Sequence, residues 1–281
     1  MICFFVYISY LPIMTSNNAE IITSTQNKKI KNVLLLQQKK TERQAQGMFV
    51  VEGARELTHS INAGYKIDSL FICTEILPHD TVISNIKCNN TYYVSPNVYN
   101  KIAYRGGTEG VIAIVESKKR TLENLTLPEN PLIVVLESVE KPGNLGAILR
   151  SADAAGVDAV IVCDPLTDME NPNLIRSSIG AAFTVQCVSC TSDECINFLK
   201  TKNIKILTAQ LQDSKLYYDT NMNCGVAIVM GTEATGLTEQ WRKAADAHIR
   251  IPMLGKLDSL NVSVSAAVLM YEAVRQRQDK H

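Results

Sequence analysis

The chain has 281 residues, 46% hydrophobic and 20% charged, with 28 basic and 28 acidic side chains and a net charge of zero. That length can hold two domains with a sizeable core, and that composition excludes a disordered or uniformly polycationic protein. The charge is uneven: residues 20–127 carry 14 Lys+Arg and 10 Asp+Glu, a net of +4, and residues 128–281 carry 14 and 18, a net of −4.

The chain opens with MICFFVYISYLPIM, apolar for fourteen residues. This stretch lacks a basic leader region and a small-residue cleavage site, and it is short for a spanning helix. Residues 1–19 are therefore read as a tail, with Met14 expected to be the initiator. Residues 18–45 read as helical, with Ile30, Val33, Leu34, Leu35 and Leu36 recurring among lysines. From Lys28 to Arg43 there are six basic residues and one acid, a patch suited to phosphates and equally to a solvated helix face.

A strand follows over MFVVEG, Met48 to Gly53, then a short helix from Ala54 to Ala63 closed by Gly64. Ile67 to Cys73, Tyr92 to Val94 and Val111 to Val115 read as further strands, giving an α/β module of roughly a hundred residues. Between the last two lies IAYRGGTEG, Ile102 to Gly110, a loop able to contact RNA or simply to turn. Lys118 to Asn130 reads as a linker, with its charges and Pro128.

The second half opens on a buried strand, Leu132 to Glu137. A turn at Pro142-Gly-Asn144, a helix from Gly146 to Ala155 closed by Gly156, and a strand from Ala159 to Cys163 complete a βαβ unit, which requires a parallel sheet. Phe183 to Cys187 and Ile204 to Ala209 read as strands around a helix from Asp193 to Lys200. The last fifty residues hold a strand at Val226 to Met230 followed at once by Gly231, and a short apolar piece at Ile249 to Pro252. A helix opened by Ser259 follows, with Leu260, Val264, Ala267, Val268, Tyr271 and Val274 on its apolar face. This makes six strands for the second half. Its loops collect Gly231, Glu233, Gly236, Gly255, Ser259 and Asn261 beyond strand ends, where α/β sheets place their ligands.

Familiar chemistries are excluded one by one. There is no G-x-G-x-x-G, no P-loop and no G-x-S-x-G elbow. The four histidines accompany no nucleophile motif. The eight cysteines suit reduced, buried thiols. Cys187, Cys190 and Cys195 cluster in sequence without completing a zinc spacing, so no metal site is expected. The polar candidates that remain are Asn144, Arg150, Glu233, Ser259 and Asn261, a set suited to positioning a phosphate or hydroxyl.

At these residues the chain resembles the SpoU (TrmH-type) family of RNA 2′-O-ribose methyltransferases, in the SPOUT superfamily. Asn144-Leu-Gly-Ala-Ile-Leu-Arg150-Ser-Ala152, Gly231-Thr-Glu-Ala-Thr-Gly-Leu237, and Ile251-Pro-Met-Leu-Gly255 with Ser259-Leu-Asn-Val-Ser263 look like the family's three motifs, in order. Residues 20–116 are similar, less specifically, to its RNA-binding module. The resemblance implies an α/β chain with an N-terminal RNA substrate-binding domain (20–117), a linker (118–130), and a parallel-sheet methyltransferase domain (131–281) with a deep trefoil knot. It implies S-adenosylmethionine as cofactor, held by backbone at Gly231, Ile251 and Leu260. Gly236, Met253 and the strand end at Thr208 and Ala209 would lie beside it. Arg150 would clamp the phosphate or act as base, Asn144 and Glu233 would orient it, and Ser259 and Asn261 would bond substrate or cofactor. A cytoplasmic homodimer acting on RNA follows, ribosomal RNA being favoured over transfer RNA, without a membrane role. A non-catalytic RNA-binding protein of the same fold, and a SPOUT enzyme acting on a base nitrogen, are the rival readings. Mass spectrometry of the native protein should find no peptide from residues 1–13; recovery of one would disprove the Met14 start.

Overall fold

The computed structural model describes residues 21–78, 86–104, 109–232, 235–256 and 259–278. The proposed tail, the Arg105–Thr108 part of the glycine loop, and Glu233 lie outside the described residues.

The first half is built on a five-stranded mixed sheet. Its strands are β1 (Ile21–Ile22), β2 (Met48–Glu52), β3 (Ile67–Ile72), β4 (Cys88–Val94) and β5 (Val111–Glu116), in the order β1-β4-β3-β5-β2. Helices α1 (Lys28–Gln38), α2 (Lys40–Gln46), α3 (Ala54–Asn62) and α4 (Pro96–Ile102) connect and cover them. Ile21 and Ile22 pair with Tyr93 and Val94 as an edge strand, not as the start of a helix. The helix begins where the Asn27 side chain accepts the Lys29 amide at 2.9 Å, and breaks at Lys39, whose φ of −116° and ψ of 115° are extended. Five of the six basic residues expected to form a patch, Lys28, Lys29, Lys31, Lys39 and Lys40, are exposed, but Arg43 is buried.

The second half carries a seven-stranded, all-parallel sheet. Its strands are β6 (Leu132–Glu137), β7 (Ala159–Cys163), β8 (Cys187–Cys190), β9 (Lys205–Ala209), β10 (Lys215–Leu216), β11 (Val226–Met230) and β12 (Ala247–Arg250). They run in the order β10-β12-β9-β11-β6-β7-β8. The helices are α5 (Pro142–Ala154), α6 (Pro172–Ser177), α7 (Ala181–Thr184), α8 (Ser192–Thr201), α9 (Glu239–Ala244) and α10 (Val262–Gln278). Central β6 and β11 are buried along their whole length, as continuous apolar runs in a sheet covered on both faces require. Helices α5 and α10 pack on one face, with Leu145, Ile148, Leu149, Leu269 and Met270 in the core; α8 and α9 cover the other, with Cys195, Leu199 and Trp241.

Several expectations are corrected. Pro142 occupies the first turn of α5, where its missing N–H costs nothing, so the supposed turn is already helix. Phe183 lies in α7 and not in a strand: its ring stacks on Phe49 at 6.2 Å and meets Tyr65 edge-on at 5.3 Å, packing against the first half that overrides its β preference. The strand itself runs Cys187–Cys190, and β10 raises the count from six to seven. Residues 122–127 are docked rather than free, since Leu122, Leu125 and Leu127 pack on the α8 face of the sheet.

The two halves are fastened by a buried ion pair. Arg43 Nε and Nη2 reach Asp168 Oδ2 at 2.6 and 2.5 Å, and Arg43 Nη1 donates to the Leu36 carbonyl at 2.5 Å. Arg43 is 3% exposed, so removing its partner strands a charge away from water. Asp168→Ala should lower unfolding free energy by about 3 kcal/mol, and pairing it with Arg43→Met should recover much of the loss. Denaturant titration measures both; an Asp168→Ala chain as stable as the wild type would contradict the pairing.

Candidate cofactor and substrate site

The site is built where β9, β11 and β12 end. After Met230 the chain reverses within six residues: Thr232 and Gly236 form a bridge, with Thr232 N to Gly236 O at 3.3 Å and Gly236 N to Thr232 O at 3.1 Å. Thr235 N donates to Thr232 Oγ1 at 3.0 Å. The turn closes because residue 231 has no side chain. A Cβ there would lie 2.6 Å from Leu237 N and nearer still to Gly236. Gly236 itself has a φ of +69°, the left-handed region glycine enters freely.

This turn is anchored to the neighbouring strand. Glu137, 2% exposed at the end of β6, accepts from Thr238 N at 2.9 Å and from Thr238 Oγ1 at 2.6 Å. Glu137 escaped the sequence reading as a site residue. The available signal was an acid ending an otherwise apolar run, LIVVLE, where burial demands a partner.

The second and third loops come from elsewhere. Asn261 accepts from Ser263 N at 2.9 Å and Ser263 Oγ at 2.6 Å, so Asn261, and not Ser259, caps α10. Its Nδ2 donates to Asn144 Oδ1 at 3.2 Å, which joins the 144–152 motif to the 259–263 motif across 117 residues of sequence. Asn144 lies in the first turn of α5, and that helix sits tight on α6. A Cβ at Gly146 would meet Leu174 O at 2.8 Å and Ser177 Oγ closer still.

Between the turns lies a cavity of about 310 Å³, at the small end of the roughly 300–1,000 Å³ usual for ligand sites. Ala209, Gly231, Gly236, Ile251, Met253, Ser259 and Leu260 all line it. Apolar Met230, Leu237, Ile249 and Leu269 form its floor, and two polar atoms of its lining residues, Gln210 Oε1 and Arg242 Nε, have no hydrogen-bond partner among the described residues. A smaller recess of about 130 Å³ adjoins it, sharing Gly231, Thr232 and Val262 and adding Glu140, Lys141 and Asn144. Gln210, Thr232, Thr235, Arg242 and Arg250 were not singled out from sequence.

Two residues stand apart. Thr208 is fully buried, with Oγ1 2.6 Å from His248 Nδ1, and leaves the wall to Ala209. Arg150 is exposed on α5 and lines neither the cavity nor the recess.

A two-domain α/β protein whose parallel sheet ends in a glycine-gated cavity, with a second polar recess beside it, has the layout of a group-transfer protein that holds a cofactor next to a larger substrate. The comparisons specify the class. Residues 131–271 match the SpoU rRNA methylase family, and the chain belongs to that family. Residues 27–113 match the MRM3-like substrate binding domain. The chain is similar to the 23S rRNA (guanosine(2553)-2′-O)-methyltransferase RlmP of Bacillus subtilis, 26% identical over 89% of this chain and 97% of that protein. It is 38% identical to the 23S rRNA (guanosine-2′-O-)-methyltransferase RlmB of Bordetella pertussis, over 60% of this chain and 71% of that one. Its structure is similar to that of the SpoU methyltransferase AviRb from Streptomyces viridochromogenes in complex with AdoMet (S-adenosylmethionine). The TM-score is 0.84, with 25% identity over 91% of this chain and all of that one.

Gly231→Ala should weaken S-adenosylmethionine binding by about tenfold or more, equivalent to 1.4 kcal/mol, because the turn must open to admit the methyl. Gly143→Ala, where a Cβ meets nothing within 4 Å, should leave affinity unchanged. Calorimetry of both variants measures this, and equal affinities would contradict the gated turn.

Proposed function

We propose that this protein transfers a methyl group from S-adenosylmethionine to a ribose 2′-hydroxyl of ribosomal RNA. The observation that carries the reading is the cavity at the carboxyl ends of β9, β11 and β12, closed by a glycine turn and joined through Asn261 and Asn144 to a polar recess. The cavity fits the cofactor on its own terms: apolar walls for an adenosine, backbone at Gly231, Ile251 and Leu260 for its polar edge, and Arg242 and Gln210 for an amino acid's charged ends. Gly236, Met253 and Ala209 complete the wall; Thr208 supports Ala209 from behind through His248.

Bound there, S-adenosylmethionine supplies an electrophilic methyl on a positively charged sulfur. The chain's own contribution is alignment and charge. The recess at Lys141 and Asn144 receives the ribose, and fixing the hydroxyl in line with the methyl supplies much of the acceleration. Arg150 carries a guanidinium, a poor base. It clamps the adjacent phosphate and stabilises the forming alkoxide while the hydroxyl proton passes to solvent water. Asn144 lines the recess and is held by Asn261, and Ser259 lines the cavity. Glu233 is assigned, with Asn144, to shaping the site and orienting Arg150.

Arg150 lies outside the cavity of its own chain, which gives the homodimer a chemical purpose. Helix α10 packs on α5 and exposes Val264 (48%) and Tyr271 (50%), and Leu254 and Leu260 before it are exposed as well. Apolar surface of that kind marks an association site. A second copy docked there places the α5 surface at the seam between two sites. The connection from β12 to α10 must recross the carboxyl ends of β9 and β11, the path along which the implied knot would be drawn. The domain at residues 20–117, with its five exposed lysines on and between α1 and α2, holds the RNA backbone, and residues 118–130 join it to the catalytic domain at 131–281. Among the described residues no helix is long and apolar enough to cross a membrane. A cytoplasmic location accords with work on ribosomal RNA.

Arg150→Ala should lower the methylation rate by about 100-fold or more while S-adenosylmethionine affinity stays within about twofold. Single-turnover methyl transfer to total RNA, alongside calorimetry, checks this; wild-type rates would remove Arg150 from the mechanism. Mapping ribose methylation in RNA from a deletion strain should show loss of one 2′-O-methyl in large-subunit RNA. A loss in transfer RNA alone, or of a base methyl, would replace the substrate.

A further inference from the structure

On the face of the sheet away from α5 and α10, three thiols meet. Cys163 ends β7, Cys190 ends β8, and the two are direct partners in the parallel register, so their side chains leave the sheet on the same side. Cys195 comes down onto them from α8. The three sulfurs lie within 4.8 Å of one another; Cys163 and Cys195 are buried and Cys190 is half-buried. The three cysteines clustered in sequence are Cys187, Cys190 and Cys195, but Cys187 lies on the opposite face among the α5 core residues. The fold supplies Cys163, 27 residues before Cys190, and that substitution is invisible in the order of cysteines.

We propose that Cys163, Cys190 and Cys195 form a three-thiolate site for a thiophilic cation with a filled d shell, zinc or monovalent copper. Metal–sulfur bonds near 2.3 Å put the sulfurs of such a site roughly 4 Å apart, within the spacing present here. Soft thiolate sets select these ions over hard cations. The set is three sulfurs because the nearby carboxylates are committed. Asp164 Oδ2 accepts from Ser192 N at 3.2 Å and Ser192 Oγ at 2.6 Å. Glu194 Oε2 accepts from Thr191 N at 2.7 Å and Thr191 Oγ1 at 2.9 Å in the capping box of α8. A fourth position is left to water on the half-buried Cys190 side, which is also the entry path. Binding sends the thiol protons to solvent.

The site would tie β7, β8 and α8 together, and it has a reporter beside it. Trp241, the single tryptophan, donates from Nε1 to Ser192 Oγ at 3.0 Å, and Ser192 in turn holds Asp164, the residue after Cys163.

The test is an anaerobic titration of the reduced, metal-free full chain with Zn²⁺, and in a parallel arm with Cu⁺, each against a chromophoric chelator. One equivalent should bind with a dissociation constant below about 1 μM in at least one arm, with a change in Trp241 emission. Cys190→Ser, at the half-buried position, should weaken that binding by about tenfold or more, and Cys224→Ser should not. Retention of neither ion, or equal retention in the wild type and Cys190→Ser, would overturn the proposal. Melting temperatures with and without ion separate a ligand effect from a folding defect: the ion should raise the wild-type value and leave that of Cys190→Ser unmoved.

Discussion

The structure depends on a place where two stretches of backbone touch with no room for a methyl group. Met230 delivers the chain to the carboxyl edge of the sheet, and Gly231 lets it fold straight back so that Gly236 and Leu237 lie against it. Every other feature of the site is arranged around that contact. The Glu137 carboxylate takes both donors of Thr238 and so fastens the returning chain to the strand next door. A buried carboxylate with two donors is a strong anchor, and one left without them would be a serious cost. The same contact therefore shapes the cavity and stiffens its rim.

The chemistry asked of the site is modest, and the residues match it. Moving a methyl from a sulfonium to a sugar oxygen needs alignment, exclusion of water and a counter-charge for the developing alkoxide. Apolar walls and backbone edges suit the first two. An arginine suits the third better than a carboxylate would, because it can bind the neighbouring phosphate bidentately and stay charged. Nothing in this division of labour requires a metal at the cavity, and the cysteine trio on the opposite face is structurally separate from it.

Much of the fold is legible in the residues. Val226 to Met230 reads as a buried strand because five apolar residues are punctuated by a glycine, and the βαβ unit from Leu132 to Cys163 follows from its strand and helix lengths. What was misread has physical causes. Helices α4, α6 and α9 are six or seven residues long, below the length at which periodicity is visible, and two of them announce themselves only by a proline at their start. The face of α10 was inverted. The helix carries two apolar stripes, and the one containing Val262, Ala266, Leu269 and Met270 faces the core although it also includes Glu272, whose carboxylate is held by Arg275 at 2.8 Å. The other stripe, with Val264 and Tyr271, is the exposed one. Periodicity reports that a helix has stripes; which one turns inward is decided by what α5 presents. The site was legible as loops and motifs, while Glu137, Arg242 and the Asn144–Asn261 bond depend on contacts between residues a hundred or more apart, or on a cavity wall that no local pattern marks.

The measurement closest to the centre of this account is a crystal structure of the full chain grown with S-adenosylmethionine. The account predicts a bent ligand seated over Gly231, with the backbone of Ile251 and Leu260 against its adenine and its methyl facing the recess at Asn144. A ligand bound at any other place, or a Gly231–Gly236 turn that the ligand does not touch, would contradict it.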